Sequence, residues 1–156
     1  MPAGGRFFVD TNVLLYSVDP ADPRKQERAW EWLQALWESG LGLLSWQVLN
    51  EFHVNALNKL RAGRPEARGI VSGYSHWVAG ETTLGLVERA WHWMEQAQLS
   101  YWDSLIVSAA ERAGCRCLLS EDFQAGRRFG AVTVVNPFLQ GPDQFGLAVE
   151  KRRRRR

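Results

Sequence analysis

Short apolar runs alternate along this chain with longer segments whose apolar residues recur every three or four positions. Arg6-Phe7-Phe8-Val9-Asp10, set between Gly4-Gly5 and Thr11-Asn12, has the pattern of a short buried strand. A short helix is expected over 12–17. Asp22-Pro23 joins an N-cap residue to a proline at the first helical position. Ala29, Trp30, Leu33, Leu36 and Trp37 then keep helical spacing up to Gly40. The run 41–45 reads as a second strand. Over 46–61, Val48, Leu49, Phe52, Ala56 and Leu60 share one helix face, and Gly63 ends it. Pro65 opens a further helical stretch through Ile70, Val71, Tyr74 and Trp77, weakened by Gly69 and Gly73. Residues 78–82 suit a weak edge strand. Helices are expected over 83–98 and 101–114, the second capped by Ser100 and closed at Gly114, and the last strands over 116–120 and 132–136. This alternation predicts an α/β domain built on a parallel sheet. The pattern stops near residue 138. The domain is therefore expected over 1–138, with 139–156 as a flexible extension that begins at the turn signal Gly141-Pro142-Asp143.

Composition narrows the class. A chain of 156 residues suits one domain, and 46% hydrophobic residues exclude general disorder. No apolar run approaches the roughly 18–20 residues of a membrane span. The start of the chain lacks the basic and apolar regions of a secretory leader, so a cytoplasmic protein away from the membrane is expected. Cys115 and Cys117 fall two apart on one predicted strand, too divergent for a good disulfide and too few for zinc; they read as buried reduced thiols. His53, His76 and His92 show no metal-ligand spacing. The formal charge of +2 hides an asymmetry. Six of the nineteen Lys and Arg residues lie at 151–156, leaving thirteen against seventeen acids, so an acidic body of −4 carries a basic tail.

The acids become informative once the strands are placed. A residue just past a parallel strand lies at the carboxyl edge of the sheet, and so does the N-terminus of a helix that leads back into the next strand. Asp10 ends the first strand. Glu51 lies early in the helix after the second. Asp103 lies in the first turn of the helix that leads into 116–120, and Asp122 follows that strand. Four acids from four segments thus fall on one edge, where open α/β sheets place their ligands. At ~4 Å two like charges repel by about 4 kcal/mol at a surface-like dielectric. Such a cluster needs protons or a cation among its members. Oxygen donors without His or Cys suit Mg²⁺ or Mn²⁺, and carboxylate-held Mg²⁺ is suited to phosphodiester hydrolysis. Taken singly, Asp103 is equally a helix N-terminal acid, and Asp10 and Asp122 are equally turn residues.

At these residues the sequence resembles the PIN-domain ribonucleases, in particular the VapC toxins of bacterial toxin–antitoxin pairs. Four short motifs carry the likeness: Phe8-Val9-Asp10-Thr11-Asn12-Val13-Leu14; Leu49-Asn50-Glu51-Phe52; Leu99-Ser100-Tyr101-Trp102-Asp103-Ser104-Leu105-Ile106; and Leu118-Leu119-Ser120-Glu121-Asp122-Phe123. The ending Val134-Val135-Asn136-Pro137-Phe138 completes it. The resemblance implies a three-layer fold, a mainly parallel sheet of four to five short strands flanked by helices. It also implies a Mg²⁺- or Mn²⁺-dependent endoribonuclease. Asp10, Glu51, Asp103 and Asp122 would be catalytic and metal-holding acids. Asn12 would fix Asp10 or a metal water, and Ser120 would line the site. Glu121 neighbours the fourth acid, but Asp122 occupies the position usual for the motif. RNA is the implied substrate, with tRNA among the candidates. A cognate antitoxin and a homodimer are the implied partners.

The basic tail and the eight tryptophans stand outside the family pattern. Trp30 and Trp37, seven apart on one helix face, read as core or subunit contact, and Trp91 and Trp93 cannot share a face. Two rival functions share the same residues: an RNA-processing nuclease of this fold, and a non-catalytic RNA-binding module that uses the tail. An aspartyl phosphatase fits less well, because Asp10-Thr11-Asn12 lacks a second acid two residues on.

Overall fold

The apolar run after Gly5 forms strand β1 (Arg6–Val9) at the centre of the sheet in the computed structural model, which describes residues 5–148. Phe7, Phe8 and Val9 are all buried. A strand covered on both faces carries such a continuous apolar run rather than an alternating one. Helix α1 (Thr11–Ser17) follows at once, with Asp10 as its N-cap. Helix α2 (Pro23–Ser39) is capped by Asp22, whose Oδ1 accepts from the Lys25 amide at 3.1 Å. It stops at Gly40 in the left-handed region (φ 71°), a conformation that glycine adopts without steric cost. Strand β2 (Gly42–Leu43) lies against Trp77, whose ring leaves no room for a side chain: a Cβ on Gly42 would come within 2.7 Å of it.

Helices α3 (Trp46–Asn58) and α4 (Arg64–Tyr74) come next, and a 3₁₀ turn (Ser75–Trp77) extends the latter. Helices α5 (Leu84–Ala97) and α6 (Tyr101–Arg112) pack on each other and lead to β3 (Cys115–Leu119). A short hairpin of β4 (Arg128–Phe129) and β5 (Val132–Val135) completes the sheet. The strand order is β2-β1-β3-β5-β4, parallel except for β4 at one edge. The fold is thus the expected α/β type, a five-stranded, mostly parallel sheet flanked by six helices. From β1 the chain goes to β2 on one side and later to β3 on the other. The β1/β3 boundary is therefore the switch point where a crevice opens at the carboxyl ends of the strands.

Three local expectations are corrected. The edge strand expected over 78–82 reduces to one bridge between Val78 and Leu44, because the chain turns away at Gly80 (φ 75°). Strand β4, two residues long, is too short to leave a periodic pattern. The chain after 138 was expected to be a flexible extension, but through residue 147 it packs on the core. Pro142–Phe145 form a 3₁₀ turn, and the Phe145 ring sits 5.7 Å from Phe7 and 5.6 Å from Trp32. The Trp32 indole N–H donates to the carbonyls of Pro137 (3.0 Å) and Gln140 (2.9 Å), which ties the segment to α2. Leu147 also packs against the core. The basic run 151–156 lies outside the described residues.

Cys115 and Cys117 are free and buried, and burial pushes the Cys115 thiol up to about 12, so neither is set up to react. Trp30 and Trp37 do not enter the core. Trp30 is half-buried, and Trp37 lies exposed against Tyr74 and Trp77. Trp91 is exposed, whereas Trp93 packs edge-on against Phe129. Among the described residues, no helix is long and apolar enough to cross a membrane.

Candidate functional site

The register of β1 and β3 builds the centre of the site. Val9 pairs with Leu119, so the next residues, Asp10 and Ser120, emerge side by side, and the Asp10 amide donates to the Leu119 carbonyl at 3.1 Å. The Asp10 carboxylate is buried. Its Oδ1 accepts from the Thr11 amide at 2.8 Å, the capping bond of α1, and its Oδ2 accepts from the Ser120 hydroxyl at 2.7 Å.

Asn12 joins the first acid to the fourth. Its Nδ2 donates to Ser120 Oγ at 3.0 Å and to Asp122 Oδ2 at 3.2 Å, and lies 3.4 Å from Asp10 Oδ2. Its Oδ1 accepts from the Glu121 amide at 3.4 Å. Ser120 Oγ also accepts from the Asp122 amide at 3.1 Å. A hydroxyl has one hydrogen to give and two lone pairs, and all three are in use here. Asp10 and Asp122 are thus held in one network by two neutral side chains.

Glu51 comes from the first half of α3. Its Oε2 accepts from the Thr11 hydroxyl at 2.7 Å, and its Oε1 accepts from Gln47 Nε2 at 3.1 Å. Asp103 is in the first turn of α6, where its backbone amide donates to the Ser100 hydroxyl at 3.1 Å. The expected cap is therefore present, and the acid also feels the charges of Asp122 and Glu51. Glu121, the neighbour of the fourth acid, is engaged elsewhere: Lys25 Nζ lies 2.8 Å from its Oε2. Asp122 rather than Glu121 is the acid tied to Asp10.

The electrostatics reflect crowding of like charges in a dry place. Burial, with the nearby Asp122 and Glu51 charges adding to it, pushes Asp10 up to about 7 despite its hydrogen bonds from Ser120 and Thr11. Asp103 is shifted upward as well, first by burial and then by Asp122 and Glu51. Among the described residues, no basic side chain forms an ion pair with Asp10, Glu51, Asp103 or Asp122.

The structure therefore brings all four predicted acids to one edge, with Asn12 and Ser120 between two of them. It does not close them into a cage. Among the described residues, no three acids stand close enough together to hold an ion as they are placed; Thr11 and Asn12 lie between them, and Gln47 ties Glu51 to the Trp102 carbonyl. The donor set still suits a hard divalent cation: it offers carboxylate and neutral oxygens only, one of them on a buried acid whose charge nothing offsets. The fit is one of donor chemistry on an open edge.

Two of these bridging side chains were not singled out from sequence. Thr11 stands between Asp10 and Asn12 in the motif, so its place there was the available signal. Gln47 is four residues before Glu51, one helical turn away, and the spacing alone could have paired them.

Comparison with known proteins agrees with this architecture. The PIN domain family model matches residues 7–128. Among solved structures, the chain is similar to Mycobacterium tuberculosis VapC20, described as a sarcin-ricin loop cleaving toxin. That likeness has 24% sequence identity and a TM-score of 0.58, over 81% of this chain and 98% of that one. No curated protein matches the chain.

Proposed function

Because the chain belongs to the PIN-domain family, we propose that its acidic edge is the centre of a Mg²⁺- or Mn²⁺-dependent endoribonuclease. The observation that carries the reading is the joint between the first and fourth acids. The Asn12 amide and the Ser120 hydroxyl hold the Asp10 and Asp122 carboxylates together at the switch point of the sheet. A protein has little reason to bury an uncompensated acid there unless a cation or a substrate uses it.

Asp10 and Asp122 would hold the ion, with Asp103 and Glu51 completing the donor set or orienting water. When bound, it supplies positive charge against that developing on the phosphoryl oxygens. The residues of the chain do the rest. Ser120 and Asn12 fix the two acids, and Thr11 and Gln47 hold Glu51 by both oxygens. The reaction is attack of water on phosphorus with cleavage of one P–O bond, the leaving sugar oxygen taking up a proton from solvent as it departs. Glu51 or Asp103, each on an element other than that of Asp10, accepts the proton of that water.

The toxin role, with a cognate antitoxin and a homodimeric assembly, is what the resemblance of the four sequence motifs to the VapC toxins implies, and the fold it shares with VapC20, a sarcin-ricin loop cleaving toxin, is consistent with it. An RNA-processing nuclease would use the same edge. A small reading frame beside this one, whose product blocks cleavage, separates the two. The chemical reading is tested by RNA cleavage with added Mg²⁺ or Mn²⁺. Cleavage must need the ion and must vanish in Asp10→Asn; equal cleavage by both proteins rejects the assignment.

A further inference from the structure

Glu51 belongs to two surfaces. One oxygen takes the Thr11 hydrogen bond beside Asp10, and the side chain also lines a cleft of about 620 Å³ between the starts of α3 and α6. That volume falls among those of built ligand sites, roughly 300–1,000 Å³. The floor is apolar, made by Leu86, Leu105 and Ala109. Its walls are aromatic: Trp46 opens α3, and Tyr101 and Trp102 open α6.

The two tryptophans stay largely outside the core. Trp46 is 49% exposed and Trp102 62% exposed. Trp102 shares a helix face with the buried Leu105 and Ile106, yet its own ring stays largely outside the core. The Trp102 ring meets Tyr101 edge-on at 5.3 Å, and the rest of its exposed indole is a large flat apolar surface. The position of Trp102 is nevertheless fixed. Its carbonyl accepts from Gln47 Nε2 at 3.1 Å, and the same nitrogen donates to Glu51 Oε1. The aromatic wall and the acidic edge are thus joined through one glutamine. The cleft also has polar edges. Asn50 lines it, and so does Ser45, whose buried hydroxyl has no hydrogen-bond partner among the described residues.

Flat aromatic walls, an apolar floor and one unsatisfied hydroxyl match a flat heteroaromatic ring with polar edges. We propose that this cleft is a nucleobase subsite, in which the base next to the cleaved phosphate stacks on Trp102 and Trp46 while that phosphate lies at the Asp10 edge. The inference rests on the RNA-cleaving reading above. The single-stranded substrate already implied by the family resemblance suits such a cleft, because a paired base has neither face free for it, and what the inference adds is the place where that base stacks.

The test uses full-length protein carrying Asp10→Asn, so that RNA stays intact. Its binding to a fluorescein-labelled mixed-sequence single-stranded RNA is followed by anisotropy. Circular dichroism and melting confirm that each variant folds. Trp102→Ala and Trp46→Ala should each weaken binding by about 5- to 150-fold, the range found when one stacking ring is removed. Trp102→Phe, which keeps an aromatic face, should retain most of it. The same RNA made abasic at successive positions should lose a similar factor at one position, and that loss should disappear in Trp102→Ala. Unchanged binding by both alanine variants overturns the proposal, as does an abasic penalty that persists in them. Unchanged RNA binding with loss of self-association in sedimentation also overturns it, and assigns the cleft to a second copy of the chain. Failure of the parent reading shows separately, as absence of ion-dependent cleavage by the unsubstituted protein.

Discussion

Replacing Asp10 with Asn should change stability by an amount that depends on pH. The carboxyl lies near 3.8 in an unfolded chain and is pushed to about 7 in the folded one. Between those values the folded protein keeps a proton that the unfolded chain has released. Stability therefore falls as pH rises from about 4, at about 1.4 kcal/mol per pH unit for one proton. Near pH 7 the folded protein releases the proton too, and the slope ends. Asn has no proton to release, so the variant lacks this decline. Relative to the parent, Asp10→Asn should gain about 2–3 kcal/mol more at pH 8 than at pH 5. Asn has its own cost. Asp10 accepts at both oxygens, from Thr11 and from Ser120, whereas an amide accepts at one. That loss is about 1 kcal/mol and is the same at both pH values, so it cancels in the comparison.

The assay is urea denaturation of both proteins at pH 5 and pH 8 with a chelator present. Urea is preferred to guanidinium because it leaves the charge interactions unscreened. A difference between the two pH values within about 0.5 kcal/mol of zero, close to the error of the extrapolation, would show that Asp10 is not a buried acid with a raised pKa. The crowding argument for the site would then fail as well.

Three further outcomes are expected. Mg²⁺ added at pH 8 should raise the melting temperature of the parent but not of Asp10→Asn, by a concentration-dependent amount that follows RT ln(1 + [L]/Kd); equal shifts would place the ion elsewhere. Ser120→Ala should lower the initial rate of RNA cleavage by about 10- to 100-fold, the usual effect of removing a group that orients a metal ligand, while Asp10 is left without its 2.7 Å hydrogen bond. Phe145→Ala should destabilise by about 2–3 kcal/mol in urea, since it removes a ring that packs on Phe7 and Trp32; a change below about 0.5 kcal/mol would return residues 139–148 to the role of a loose extension.

The readable parts of the fold were those with strong local signals. Asp22-Pro23, Ser100 and Gly40 mark helix ends by their own chemistry, and α2 and α6 start or stop where those residues stand. The apolar runs at β1 and β3 stood out because both faces of a central parallel strand are buried. Two-residue strands have no period, so β4 was invisible and β2 was overextended. Phe145 carries no local mark of its long-range partners Phe7 and Trp32, so a turn signal at Gly141-Pro142 looked like the end of the domain. The acids of the site followed from topology alone, because parallel strands put their ends on one edge. What topology could not supply was the bridging. Thr11 and Gln47 are ordinary residues until the start of α1 and the turn of α3 bring them to Glu51.

That bridging explains why the edge is open rather than closed. The polar hydrogens at the joint of Asp10 and Asp122 are already given to acceptors. The Ser120 hydroxyl is saturated by Asp10, Asn12 and the Asp122 amide, and the Thr11 hydroxyl is given to Glu51. Lys25 is engaged by Glu121, the chain neighbour of Asp122. Asp10 is buried and forms no ion pair among the described residues, so without a cation a proton neutralises it, and burial first, then the Asp122 and Glu51 charges, raise its pKa. A divalent ion arriving at the edge displaces that proton. Its apparent affinity should therefore fall about tenfold for each pH unit below 7, with one proton released per ion bound. Titration of Mg²⁺ at pH 6 and pH 7.5 in two buffers of different ionisation enthalpy measures both quantities. Binding that ignores pH, or releases no proton, would mean that Asp10 takes no part in holding the ion.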